Sequence, residues 1–198
     1  MNIIRKVIFI SFVSLIFISC HQITHANRVI AIQPFNDFTP TLTNSVFAKL
    51  KEISPNTILR TPLQLPTKSY YPPRNRYRAD LLIKYLSDFG SADTIVIGLT
   101  NKDISTTKGS VSDFGIMGLG YCPGNACVVS TFRLAKTNLY EQFYKLAIHE
   151  LGHTQGLPHC PNKICFMRDA NGKNVFNEVK DFCPSCKSFL KNKGWQLK

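Results

Sequence analysis

The chain has 198 residues, 44% of them hydrophobic and 18% charged, with a formal net charge of +12. That length gives one domain a substantial core and leaves a second cramped, and the composition excludes an intrinsically disordered chain. The basic residues are scattered, the densest stretch is "YYPPRNRYR" (Tyr70 to Arg78), and no nucleic-acid motif accompanies it, so the excess reads as a solvated face near an anionic bilayer, with no nucleic-acid partner.

Residues 1–19 carry Arg5 and Lys6 and then an apolar run from Val7 to Ile18, the layout of an export signal and too short to span a bilayer as a helix. Cys20 follows Phe17, Ile18 and Ser19; this resembles the bacterial lipobox and predicts cleavage before a lipidated Cys20. The competing site follows Ala26, where "THA" obeys the small-x-small rule. Residues 20–26 are then a short tether and residues 27–198 the folded domain, exported and anchored by lipid to the membrane on its periplasmic or extracellular face. Loss of the signal lowers the net charge from +12 to +10.

"NRVIAIQPF" (Asn27 to Phe35) reads as a first strand bounded by Pro34, Thr39 to Ile53 as a helix with Pro40 in its first turn, and Asn56 to Pro66 as a second strand. Lys68 to Asn75 reads as a loop, because its prolines cannot donate backbone hydrogen bonds. Arg76 to Gly90 has helical spacing and ends in glycine, and "DTIVIGLT" (Asp93 to Thr100) is an apolar run suited to a buried strand. A Gly-rich stretch follows, and then "ACVVSTFRL" (Ala126 to Leu134) as a strand that could wall a cleft. Strands alternating with helices predict an α/β fold, a mixed, mostly parallel sheet packed on helices, with a small Cys-rich region at the C-terminus.

The last long helix is predicted over Leu139 to Gln155, with Asn138 as its cap, Glu141 completing a capping box and Gly156 as its stop. At 100° per residue, Leu139, Phe143, Leu146, Ala147 and Leu151 form one apolar stripe. Glu150 lies in its middle at about +20°, with His149 and His153 beside it at about −80° and −40°. A carboxylate in a buried stripe is costly unless something there needs it.

"HELGHTQGLPHC" (His149 to Cys160) supplies that need. Histidines at i and i+4 share one side of a helix, and Gly156 permits the turn that returns His159 to the same point. Three imidazoles around zinc leave a fourth position for water, as catalytic sites do, and zinc lowers the pKa of that water from about 15.7 towards about 7. Glu150 follows the first ligand and is the expected general base, passing the proton to the leaving amine. Five fixed positions in HExxHxxGxxH arise by chance in about one chain of this length in 10⁵. Cys160 with Cys165, and Cys183 with Cys186 in "CPSC", suit a closed tetrahedral zinc site.

The same motif is the long zinc signature of the metzincin metallopeptidases. With "HCPNKICFM", a later CxxC and the upstream "VVSTFRL", the chain resembles the archaemetzincin family specifically, over roughly Thr94 to Cys186. The resemblance implies His149, His153 and His159 on a catalytic zinc with Glu150 as base. It also implies Cys160, Cys165, Cys183 and Cys186 on a second, structural zinc, and Met167 as the methionine beneath the catalytic metal. Fifteen residues separate Met167 from Cys183, about two fewer than the family pattern.

Export favours oxidation, so disulfides across the four motif cysteines compete with the structural zinc. Cys122 and Cys127 in "YCPGNAC" are expected to close a small disulfide loop, with two buried free thiols as the alternative. Tyr121, Tyr140 and Tyr144 are possible transition-state donors and are better read as packing residues. The leading function is a monomeric, lipid-anchored zinc peptidase cleaving peptides or proteins. The alternatives are a zinc amide hydrolase on a non-peptide substrate and a zinc-dependent peptide-binding lipoprotein without turnover.

Overall fold

The computed structural model describes residues 28–198. The export signal, Cys20, the tether and the alternative cleavage site after Ala26 lie outside the described residues. No helix among those described is long and apolar enough to cross a membrane.

A five-stranded sheet organises the chain, built from β1 (Val29–Pro34), β2 (Ile58–Leu59), β5 (Thr94–Thr100), β8 (Gly118–Gly120) and β9 (Ala126–Ser130) in the order β2-β1-β5-β9-β8. All neighbours are parallel except β8 on β9. The apolar run of β5 is at its centre, where both faces are covered and a continuous hydrophobic strand is needed.

Successive strand side chains point to opposite faces, so each central strand feeds two cores. Ile30, Ile32, Ile95, Ile97, Leu99, Cys127 and Val129 meet α1 (Pro40–Ile53), α3 (Leu139–Thr154) and the C-terminal region on one face. Ala31, Val96, Ala126 and Val128 meet α2 (Ala79–Ser87) on the other. The C-terminal region closes with α4 (Pro184–Asn192) and the buried Trp195, whose ring stands edge-on to Phe182 at 6.1 Å.

A second sheet, β3 (Tyr70–Tyr71), β4 (Arg76–Arg78), β6 (Ile104–Lys108) and β7 (Val111–Ile116), has the order β3-β4-β6-β7. It corrects several expectations. Arg76 to Arg78 is a strand paired in parallel with β6, not the first turn of a helix, and the stretch expected as a loop contributes β3. The basic stretch is also no open patch. Arg76 is buried against Asp103 (2.9 Å) and Asp113 (3.2 Å), and Arg78 pairs with Asp80 at 3.2 Å. The second predicted strand shrinks to Ile58–Leu59 at the sheet edge, and "ACVVSTFRL" leaves the sheet after Ser130.

Helix α3 matches its predicted span, but its start differs. Asn138 adopts the left-handed region (φ 57°) and makes no capping bond, and Glu141 turns to Lys145 at 2.7 Å. The preceding loop is held instead by Gln142, whose amide accepts from Ala135 N (3.2 Å) and donates to Thr137 O (2.6 Å). A buried amide inside the helix thus satisfies backbone groups of the loop that leads into it, and not the first-turn N–H groups that a cap serves.

Candidate active site

The second half of α3 is enclosed on every side, with all residues from Lys145 to Thr154 buried. Gly156 takes φ +102°, a region open to glycine, and the chain turns so that Leu157 N bonds back to Gly152 O at 3.1 Å. This reversal brings His159 to His149 and His153. The donor nitrogens of the three rings all lie within 4.8 Å of one another, with His149 and His153 buried and His159 exposed.

The ring contacts decide which nitrogens face inward. His149 Nδ1 lies 2.6 Å from Phe166 O and His153 Nδ1 lies 2.7 Å from Leu157 O. A carbonyl only accepts, so both Nδ1 atoms carry hydrogen and both Nε2 atoms present lone pairs, 3.1 Å apart. Burial, with His153 alongside, pushes the His149 pKa down to about 3, and burial lowers that of His153, so both imidazoles favour the neutral form. Two facing lone pairs at that distance suit a shared cation. Nitrogens about 2.05 Å from one tetrahedral zinc stand about 3.3 Å apart, so the residues fit the metal. Asp169 flanks the third ring, its Oδ2 3.6 Å from His159 Nδ1, the kind of outer contact that orients a ligating imidazole.

Glu150 is buried against β8. A Cβ on Gly118 would come within 2.6 Å of Glu150 Oε1, and one on Gly120 within 2.7 Å of Glu150 O, so both glycines are needed for the strand to lie flush on the helix. Burial raises the Glu150 pKa to about 8, opposed by a hydrogen bond from the Gly120 amide. The carboxyl reaches a cleft of about 760 Å³ that all three histidines also line. Its wall is the run Phe114 to Gly120; of the stretch Ala126 to Leu134 expected there, only Arg133 lines it, and the strand Ala126 to Ser130 is paired on that side by β8. The pair Gly118 and Gly120 escaped the sequence reading; "GLG" before a strand is too common to single out.

Met167 is fully buried beneath α3. A Cβ on Gly152 would lie 2.6 Å from its Sδ, so the glycine within HELGH makes room for it. The same loop links the histidines to the cysteines, since Cys160 follows His159 and its amide donates to Met167 O at 2.8 Å.

The sulfurs of Cys160, Cys165, Cys183 and Cys186 also lie within 4.8 Å of one another, drawn from that loop and the start of α4. Cys160 and Cys183 are 3.7 Å apart. Two sulfurs on one tetrahedral zinc stand about 3.8 Å apart, against about 2.05 Å in a disulfide, so this set also fits zinc. Amides of Met167 (3.5 Å) and Cys183 (3.3 Å) point at Cys165 Sγ, as they do at a thiolate. The Cys183 pKa falls to about 6, with Ser185, Cys186 and Cys160 as hydrogen-bond partners that outweigh its desolvation.

One expectation fails here. Cys122 and Cys127 are not joined: Cys127 is buried on the α3 side of β9, where burial, with Glu150 nearby, pushes its thiol pKa well up, while Cys122 directs its sulfur to Leu157 O at 3.3 Å. None of Tyr121, Tyr140 and Tyr144 lines the cleft. Tyr144 packs towards α1, under Lys49 Nζ at 4.9 Å, and its burial pushes the phenol up to about 12.

Comparison with known proteins agrees with this geometry. The sequence profile of peptidase family M54 matches residues 35–192. The chain belongs to that family. The archaemetzincin of Nanoarchaeum equitans is 31% identical over 155 residues, 78% of this chain and 85% of that protein. The archaemetzincin of Archaeoglobus fulgidus is 36% identical over 128 residues, 63% and 74% of the two chains. The crystal structure of archaemetzincin from Methanopyrus kandleri superposes with a TM-score of 0.70 at 27% identity, covering 84% of this chain and 96% of that one. That of A. fulgidus, complexed with malonate, has the same score at 29% identity over 81% and 99%. This chain is therefore a zinc metallopeptidase of the archaemetzincin type, with the compact mixed α/β fold of those structures.

Proposed function

We propose that this metallopeptidase hydrolyses peptide bonds with Glu150 as general base, His149, His153 and His159 holding a catalytic zinc, and Cys160, Cys165, Cys183 and Cys186 holding a structural one. The observation that carries the reading is the pair of inward-facing Nε2 atoms 3.1 Å apart beside a buried carboxyl in one cleft. Zinc, when bound, supplies a Lewis acid that acidifies water and polarises a carbonyl.

The chain's own residues do the rest. Phe166 O and Leu157 O fix two imidazoles in the tautomer that leaves Nε2 free. Glu150, buried and raised towards neutrality, takes a proton from water and delivers it to the departing amine, a task suited to a pKa near the working pH. The outer edge of β8 has no strand partner among the described residues and lies along the cleft, where an extended peptide can pair with it. This backbone edge favours a peptide over the non-peptide amide and gives the peptide-binding alternative the same surface.

Elemental analysis tests the metal assignment. Two zincs per chain, with the four motif cysteines recovered as thiols after denaturation and chelation, are expected. Glu150→Gln should keep both metals and lose turnover by about 10² to 10⁴-fold; parent-like turnover by that variant excludes Glu150 as base. The Cys20 lipid anchor and the exported location are part of the same proposal, carried by the N-terminal sequence, and mass spectrometry of the mature protein checks them.

A further inference from the structure

The cleft has two ends. Cys122 and Pro158 near Gly120 are exposed, as are Lys108, Arg133 and Gly172 at the Phe114 end. Only at the Phe114 end do the two walls approach each other. Gly172, in the loop after Asp169, comes so close to β7 that a Cβ on it would touch Phe114 Cζ at 3.3 Å. Lys108 Nζ lies 4.9 Å from the centre of the same ring. Arg133 also lines this end, beside Gly115. Its Nε and Nη2 bind Asp103 at 2.8 and 3.0 Å, which leaves Nη1 without a protein partner among the described residues.

An unpartnered donor gives this end a preference. Lys108 and Arg133 both line it; Arg76 and Arg133 together balance Asp103 and Asp113, and Asp169, beside His159, balances Lys108, so the selective group is Arg133 Nη1, which can only donate. A peptide running antiparallel to the wall from Phe114 to Gly120 brings a carboxylate that accepts from it; a parallel one brings an ammonium, which cannot. Glu150 stands opposite Gly118, three to four residues from Gly115 and Phe114 across the bend at Met117, which at the rise of a strand is at most about 10 to 13 Å.

We propose that the closed end receives the free C-terminal carboxylate of the peptide, so that the enzyme releases C-terminal fragments of about two to four residues and does not cut chains internally. The inference rests on the peptidase reading, with Glu150 acting in this cleft. Arg133 binds the carboxylate through Nη1 and Lys108 adds a second positive charge, while Phe114 and Gly172 bar longer chains.

The test uses the zinc-loaded full chain and two N-acetylated peptides of one sequence, one ending in a free acid and the other in an amide. The free acid should be cut with C-terminal products no longer than about four residues, and amidation should lower kcat/KM about tenfold or more, the loss expected of a charge-assisted contact. Lys108→Gln, at an exposed position, and Arg133→Gln should shrink that ratio by slowing the free acid alone. Equal rates on both peptides, longer C-terminal products, or cleavage of a head-to-tail cyclic peptide overturn the proposal. Binding to Glu150→Gln separates this proposal from the peptidase reading. If neither peptide is cut by the parent, the peptidase reading fails, and the subsite still stands on tighter binding of the free acid than the amide or falls on equal binding.

Discussion

At the scale of single residues, the site depends on atoms that are not ligands. The missing Cβ of Gly118 is where the Glu150 carboxyl fits, and Gly118→Ala would drive a methyl to within 2.6 Å of Oε1. The carboxyl must then shift, so kcat/KM should fall by about tenfold or more while zinc content is unchanged. Steady-state kinetics beside elemental analysis checks this, and parent-like kinetics would show that the strand does not position the base. The burial of Glu150 also has a consequence for stability. Its folded pKa, about 8, lies above the ordinary 4.5, so between those values the native protein holds a proton that the unfolded chain releases. In the metal-free protein this contribution is complete below pH 4.5 and is lost as the pH rises through about 8. The thermal midpoint of metal-free Glu150→Gln should therefore fall less than that of the metal-free parent between pH 5 and pH 8.5, and equal falls would place the carboxyl in water.

Among the elements, α3 carries the chemistry because it is enclosed rather than amphipathic. Its N-terminal half packs one stripe on α1 and the sheet, whereas its last ten residues are buried all round by β8, β9, the Met167 loop and the C-terminal region. Lys145 secures that last neighbour by donating to Phe176 O (3.0 Å) and Val179 O (2.8 Å), which holds the Phe176 ring edge-on to His149 at 6.3 Å. The tightest point is Gly152 over Met167. Gly152→Ala forces the Met167 side chain or the helix to move, and overpacking of this kind costs about 1 to 3 kcal/mol. A lower unfolding midpoint in urea with weakened zinc retention is the expected result; unchanged values for both would mean that the methionine side chain yields freely.

For the molecule as a whole, the histidine cluster and the cysteine cluster proposed to hold the two zincs share one piece of backbone. His159 and Cys160 are adjacent, and the loop from Cys160 to Arg168 is pinned at both ends by backbone pairing and packed through Met167 onto α3. The C-terminal region buries Phe182, Cys186, Leu190 and Trp195 against the same core, and the cysteine cluster joins it to the Cys160–Arg168 loop. Cys165→Ser, which removes the most buried sulfur of the four, should lose one zinc and lower the thermal midpoint. It should also raise protease sensitivity between Cys160 and α4, the segment that the four cysteines tie together. Loss of one zinc with an unchanged midpoint would show that the cysteine cluster contributes no stability.

Much of this was legible from the chain alone, for a local reason. HExxHxxGxxH places its groups by helix period and one glycine turn, so the convergence of His149, His153 and His159 needs only the geometry of about three turns of backbone. The apolar run of β5 and the four-cysteine spacing are equally local signals. The strands of the second sheet and β8 were not legible: "ISTTK", "VSDFGI" and "GLG" carry few apolar residues, and they become strands because they pair with neighbours distant in sequence. The same applies to Asn138, which makes no capping bond while a buried glutamine holds the loop before it, and to Cys122 and Cys127, which β9 and the Leu157 turn hold apart. The sequence by itself determined the convergence of the three histidines and the helix that presents two of them, because that depends on spacing within one helix and the turn after it. Only the tertiary structure decided the wall opposite Glu150, the closed end at Phe114 and the clasp of the Met167 loop, because each is a contact between segments whose meeting no local period records.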